Sequence, residues 1–157
     1  LSPKENREVP PLDYHRVYRL KQRLPHRFIG INGGIASLDE AETHLRAGVD
    51  AAMLGRAAYH DPGLLAGVDA RFYGEDAGSA DWEGVVEAMA AYAARHIERG
   101  GRLAHVTRHM TGLFHGLPGA RRWRQVLSTE AARPGAAPAV LRQALAHVRL
   151  DAAARAA

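Results

Sequence analysis

Two glycine turns are places where this chain could bring its backbone against a ligand: Asn32-Gly33-Gly34 and Gly55-Arg56. Each follows a short apolar run, Phe28-Ile29-Gly30-Ile31 in the first case and Ala51-Ala52-Met53-Leu54 in the second. Glycines at the end of a strand let N–H groups approach an anion closely, and the start of a following helix favours negative charge. Arg56 adds a fixed positive charge and a planar fork of donors. The chemistry these residues offer is the holding of a phosphate. Their spacing is about one βαβ repeat. In a (β/α)₈ barrel the usual phosphate site lies between the loops after strands seven and eight, where a C-terminal half would place two such turns. The competing reading is structural: a tight turn, a close helix approach, and Arg56 paired with Asp61 or another carboxylate.

A second concentration of chemistry is cationic. From Arg102 to Arg149 there are eight arginines against one acid, Glu130, together with His105, His109, His115 and His147. Such a stretch is the electrostatic footprint of a surface that meets phosphates, although a solvated basic face has the same composition. Arg121 and Arg124 are three apart, so they share a helix face opposite Val126 and Leu127 and could clamp adjacent phosphates. Trp123 between them could stack on a base, but its spacing to Val126 and Leu127 favours burial. His105 and His109 have a spacing that zinc enzymes use on one helix face. The residues between them include Arg108 and no glutamate, so a metal site is not expected. Tyr14, Tyr18, Trp82 and Tyr92 fall on helical stripes and are expected in the core, and Asp13, Asp39 and Glu42 as capping or solvated carboxylates. With no cysteine in the chain, thiol chemistry and Cys-ligated zinc are excluded from these residues, and no acid–base pair or Ser-His-Asp arrangement stands in its place.

The elements that must position these groups fall into two parts. In residues 1–74, ten basic side chains face nine acidic ones. Val17, Leu20 and Leu24 define a helix that Pro25 ends. The apolar runs give two buried strands, and Ser37 with Glu40 starts a helix between them that closes at Gly48. Pro62-Gly63 opens another helical segment. The order αβαβα implies a parallel sheet. Residues 75–157 contain no convincing strand. Trp82, Val85, Val86, Met89, Ala93 and Ile97 form one stripe, introduced by Asp81 and closed by Gly100-Gly101. Leu103, Val106, Met110, Leu113 and Phe114 define a second helix. Trp123, Val126 and Leu127 give a third, started near Pro118, and Leu141, Ala144, Leu145 and Val148 a fourth after an Ala-, Pro- and Gly-rich loop from Ala131 to Pro138. Four amphipathic helices with short connections imply a bundle.

With 157 residues, 46% hydrophobic and 24% charged, and a net charge of +4, the composition is that of a globular chain. It lacks both the low hydrophobicity of disordered proteins and any apolar run long enough for a membrane span. The start, Leu1-Ser2-Pro3-Lys4-Glu5-Asn6-Arg7-Glu8, has no initiator methionine, charged n-region or apolar h-region. No targeting segment is expected, and a start inside a Pro-rich loop is that of a segment cut from something longer.

Several segments, in this order and spacing, resemble a known family. They are Leu1 through Tyr14 (LSPKENREVPPLDY), Ile31-Asn32-Gly33-Gly34-Ile35, Gly55-Arg56-Ala57-Ala58-Tyr59, Thr107-Arg108-His109-Met110, and Leu113 through Arg124 (LFHGLPGARRWR). The sequence is similar over nearly its whole length to the flavin-dependent tRNA-dihydrouridine synthases, and most to their A subfamily. The resemblance implies an FMN-binding TIM barrel followed by a helical domain that grips tRNA, with NADPH as reductant and reduction of D-loop uridines at positions 20 and 20a. On that basis residues 1–74 are expected to be the C-terminal part of the barrel and 75–157 the tRNA-binding helical domain. Carried onto this chain, Asn32, Gly33 and Gly34 match the family turn that holds the FMN phosphate, and Gly55 and Arg56 its partner turn. Lys4, Arg7, Arg121 and Arg124 match positions of the subfamily's tRNA-binding signature. The resemblance further implies a cytoplasmic enzyme, monomeric when complete, with no metal. The departure is large: the family's catalytic cysteine and the opening strands that contact the flavin ring fall before Leu1, and a complete barrel needs about 250 residues. The chain alone is therefore expected not to reduce uridine, and its part-sheet to leave apolar edges uncovered.

Three readings follow. The chain is the C-terminal part of a tRNA-dihydrouridine synthase, a catalytically dead tRNA-binding remnant, or the phosphate-binding part of another barrel enzyme. Salt-dependent tRNA binding without flavin uptake would mark the second. Absence of tRNA affinity would mark the third.

Overall fold

The computed structural model describes residues 12–76 and 80–150. The chain divides into two compact units, one ending at Ala57 and the other beginning at Ala58.

In the first unit Asp13 caps helix α1 (Tyr14–Arg23) by accepting from the Arg16 N–H at 3.0 Å. The helix stops before Pro25, whose ring disfavours helical geometry in the residue preceding it. Strand β1 (Gly30–Asn32), helix α2 (Leu38–Arg46) and strand β2 (Ala51–Met53) complete a βαβ unit. The two strands are parallel, with Gly30 opposite Ala51, Ile31 opposite Ala52 and Asn32 opposite Met53. Ile31, Ile35, Ala41 and Val49 are buried between helix and sheet. Ser37 accepts from the Glu40 N–H at 3.1 Å, and the Glu40 carboxylate accepts from the Ala36 N–H at 2.6 Å, so the start of α2 is closed by its own sequence.

The first strand is shorter than the apolar run predicts. Lys21 donates to the carbonyls of Pro25 and Arg27, each at 3.0 Å, and to Asp50 at 2.9 Å. These bonds brace a turn over residues 24–27, closed by the Arg27 N–H on the Leu24 carbonyl. Phe28 is consequently 79% exposed, and β1 begins only at Gly30. The Asp50 carboxylate also accepts from the Ile29 N–H at 2.7 Å. The Lys21 hydrogen bond, with help from that N–H, holds the Asp50 carboxyl below its ordinary range.

The second unit carries its own core. After α3 (Arg56–His60), the helical segment predicted at Pro62 is a short 3₁₀ helix (Pro62–Gly67) and a π turn (Asp69–Tyr73). Asp81 caps α4 (Trp82–Glu98) by accepting from the Gly84 N–H at 2.8 Å. The buried stripe of α4 is Val86, Ala90 and Ala93, while Val85 and Tyr92 are exposed, Tyr92 by 51%. Trp82, Met89 and Ile97 of the predicted stripe pack against this core, so only Val85 departs from it, and Tyr92 stacks on His96 at the surface.

Only Leu103–Thr107 of the predicted second helix is helical, forming α5. Residues 108–119 run as successive turns, among them Met110 N–H to Thr107 and Leu113 N–H to Met110. Two tertiary contacts explain the early stop. The buried Trp123 indole takes the Met110 carbonyl at 2.9 Å. A Cβ at Gly112 would stand 2.0 Å from the His60 carbonyl oxygen, so the chain is pressed against that segment. Helices α6 (Ala120–Thr129) and α7 (Ala139–Leu145) follow, joined by the predicted loop. Leu103, Phe114, Trp123, Leu127 and Leu141 fill the core with α4. Arg142 on α7 holds Glu87 on α4 through two bonds of 2.6 Å, and that hydrogen bonding keeps the Glu87 carboxyl below its ordinary range.

The packing boundary at 57/58 precedes the compositional division at 74/75. Residues 60–63 explain why: besides the Gly112 contact, Gly63 lies under the Trp82 ring, 3.3 Å from where a Cβ would be.

Candidate phosphate and nucleic-acid contacts

The parallel register is what brings the two glycine turns together. Asn32 faces Met53, so the chain leaves both strands at the same edge, with Gly33-Gly34 beside Leu54-Gly55. Gly33 and Gly34 have φ of +127° and +67°, a region that strongly favours glycine. They are also packed from behind: a Cβ on either would lie 2.9 Å from Leu12, and the Tyr14 hydroxyl donates to the Gly33 carbonyl at 2.6 Å. Tyr14 in turn sets its ring edge against His44 at 4.6 Å, and His44 is bonded through Nδ1 to Tyr18 at 2.6 Å. Tyr14 and Tyr18 therefore join α1 to α2 as half-buried groups rather than as apolar core.

Gly55 is different. It has no left-handed φ, and none of the described residues lies within 4 Å of the position its Cβ would take. The fold does not demand glycine there, so the missing side chain leaves room above the end of β2. Arg56 is exposed and has no ion-pair partner among the described residues of its unit. Asn32 is exposed at the same edge.

One part of the expected cradle is not available. At the start of α2 the Glu40 N–H is taken by Ser37 and the Ala36 N–H by the Glu40 carboxylate, which also places a negative charge there. Helix α3 is only five residues long. An anion at this edge would therefore be held by the glycine backbone and Arg56 rather than by a helix terminus.

In the second unit α6 presents Arg121, Arg122 and Arg124 in its first five residues, all exposed, with no acid in the first turn. Cations near a helix N-terminus oppose its dipole, typically by about 0.3–1 kcal/mol each. Arg122 is bonded to Gln125 at 2.9 Å, whereas Arg121 and Arg124 have no protein partner among the described residues. The helix start is fixed by Gly119, with φ +94°, where a Cβ would stand 1.9 Å from the His147 carbonyl oxygen. Trp123 is fully buried and edge-on to Phe114 at 4.7 Å, so it is core and not a base platform.

His105 and His109 do not share a helix face, because α5 ends at Thr107. His105 turns to His96 at 3.3 Å, and His109 to Tyr59 at 2.8 Å. Among the described residues no cluster of three His, Cys, Asp or Glu side chains could hold a metal ion. Sequence reasoning also missed a groove lined by Leu65, Tyr73, Trp82 and Val85. Its rim holds Asp69, Glu75, Asp76 and Asp81, the wrong charge for a phosphodiester. Lys4 and Arg7 lie outside the described residues.

Residues 2–149 match the family model described as dihydrouridine synthase (Dus), and the chain belongs to that family. Curated relatives agree. It is 57% identical over 145 residues to the tRNA-dihydrouridine(20/20a) synthase of Salmonella typhimurium strain LT2, covering 92% of this chain and 43% of that protein. The Escherichia coli K12 protein of the same name is 54% identical, with coverage of 92% and 42%. That of Shewanella oneidensis is 52% identical over 151 residues, covering 96% and 45%. The chain thus spans less than half the length of the relatives it matches. Among the described residues no helix is long and apolar enough to cross a membrane.

Proposed function

We propose that this chain is the C-terminal part of an FMN-dependent tRNA-dihydrouridine synthase that reduces uridines 20 and 20a of the tRNA D-loop at the expense of NADPH. In this reading residues 1–74 supply the last strands of a TIM barrel and residues 75–157 a helical domain that grips tRNA, in a cytoplasmic protein that is monomeric when complete. The observation that carries the reading is the pairing of the two glycine turns at one strand edge, beside an arginine that has no partner among the described residues of its unit.

These residues fit the phosphate end of FMN. The backbone N–H groups of Gly33, Gly34 and Gly55 would donate to it, with Asn32 at the rim, and Arg56 would neutralise its charge. Bound FMN would supply the hydride for the uridine ring. No group in this chain can serve as the family's catalytic cysteine, so its part is to anchor the cofactor's phosphate and hold the RNA. The cost of placing Arg121 and Arg124 against the α6 dipole is offset when RNA phosphates arrive, and Lys4 and Arg7 would add to the same grip.

Titrating tRNA binding against salt tests the RNA arm. Changing Arg121 and Arg124 together to alanine should weaken binding and reduce the log–log salt slope by about one to two. An unchanged slope would remove both residues from the interface.

A further inference from the structure

The hydrogen bonds around His109 fix where its proton sits. Arg108 Nε–H lies 2.9 Å from His109 Nε2, and an arginine nitrogen can only donate, so Nε2 is the acceptor. The ring proton is then on Nδ1, which lies 2.8 Å from the Tyr59 oxygen and must donate to it. A phenol that accepts from the protein keeps its own proton for something else. Tyr59 is 55% exposed, and its ring is held edge-on by His60 at 5.7 Å and His109 at 5.9 Å. The chain Arg108 to His109 to Tyr59 thus ends in an ordered, outward-available donor. At its other end stands a guanidinium whose remaining nitrogens have no partner among the described residues.

Charge indicates what this surface would meet. Glu130, the one acid between Arg102 and Arg149, is paired with Arg133 at 2.6 Å. Asp61 lies toward His115 at 4.0 Å. Neither neutralises Arg108. An exposed aromatic ring and a cation joined by one imidazole form a contact suited to single-stranded RNA, which offers phosphates to the cation and sugar or base acceptors to the phenol. We propose that Arg108, His109 and Tyr59 form a preordered RNA contact, in which Arg108 meets a backbone phosphate and the Tyr59 hydroxyl donates to an acceptor on the same strand. His109 acts as a positioning residue. The inference rests on the tRNA reading above and adds a contact apart from Arg121 and Arg124.

The test measures binding of an unmodified tRNA transcript to the full chain over a salt series. Tyr59→Phe, which removes only the hydroxyl, should weaken binding about 5–10-fold with the salt slope unchanged, as expected for a lost neutral donor. Arg108→Ala should lower the slope by about one. His109→Ala should cost as much as Tyr59→Phe, and the double variant no more than either, because one relay is broken in each case. Nitrogen NMR of the free protein should find the His109 proton on Nδ1. Wild-type affinity in Tyr59→Phe and Arg108→Ala, with binding still weakened by the Arg121 and Arg124 substitutions, would overturn this contact alone. Additive losses, or a fall in melting temperature that accounts for the weaker binding, would assign Tyr59 to structure and also overturn it. No binding by the wild-type chain would remove the tRNA reading together with this one.

Discussion

The Tyr14 hydroxyl donates to a carbonyl 19 residues away, in the turn proposed above to hold the phosphate. Tyr18, one helical turn further on, makes an equally short bond to His44 but does not reach the turn. The pair therefore separates support of the site from support of the helix. In the intact synthase, Tyr14→Phe should raise the FMN dissociation constant several-fold, Tyr18→Phe should leave it near wild type, and both should lose comparable thermal stability. Arg56→Ala serves as the reference, since it removes charge from the phosphate and should weaken flavin retention more than either. Unaltered flavin retention in Arg56→Ala would contradict the cradle. A loss in Arg56→Ala with none in Tyr14→Phe would leave the cradle and deny Tyr14 its role. The glycines themselves were legible in the sequence, because left-handed turns and strand ends are local features. Their support from Leu12 and Tyr14 was not, since nothing in residues 12–14 names a partner at Gly33.

At the scale of elements, the helices with their own start signals lie where the sequence puts them: Asp13, Ser37 and Asp81 each cap one through a bond three residues on. The failure concerns residues 108–114, whose apolar spacing continues that of α5. Here long-range contacts prevail, since the Trp123 indole takes a carbonyl that a longer helix would use and Gly112 is pressed on His60. This makes Trp123 the centre of the second core. Trp123→Ala should cost about 3–5 kcal/mol of unfolding free energy in a denaturant titration, chiefly through the cavity it leaves. Trp123→Phe keeps much of the volume and should cost less, mainly the indole hydrogen bond to a Met110 carbonyl that keeps the Leu113 N–H, at about 0.5–1.5 kcal/mol. The Tyr59–His109 contact escaped sequence reasoning in the same way, for the two residues are 50 apart.

Over the whole molecule, two ion pairs tie elements distant in sequence, Lys21 with Asp50 in the first unit and Arg142 with Glu87 in the second, while Arg121 and Arg124 have no ion-pair partner among the described residues. Both carboxyls are held below their ordinary range in the folded protein. Their contribution is therefore present above the ordinary carboxylate range and lost as pH falls through the depressed folded values. Melting curves over a pH series should show the double variant Asp50→Asn, Glu87→Gln below wild type near neutrality and converging with it in acid. Parallel curves would mean that neither tie matters.

Lys21 also accounts for an oddity of composition. Of the 21 basic residues only Lys4 and Lys21 are lysines, so arginine has taken nearly every cationic position. At Lys21 two carbonyls and a carboxylate are arranged around one nitrogen, which a tetrahedral ammonium can satisfy with its three protons. A guanidinium is flat, and its donors diverge in one plane, so it cannot serve three acceptors converging on a point. The preference for arginine yields where the shape of the nitrogen, and not its charge, is what the surrounding chain requires.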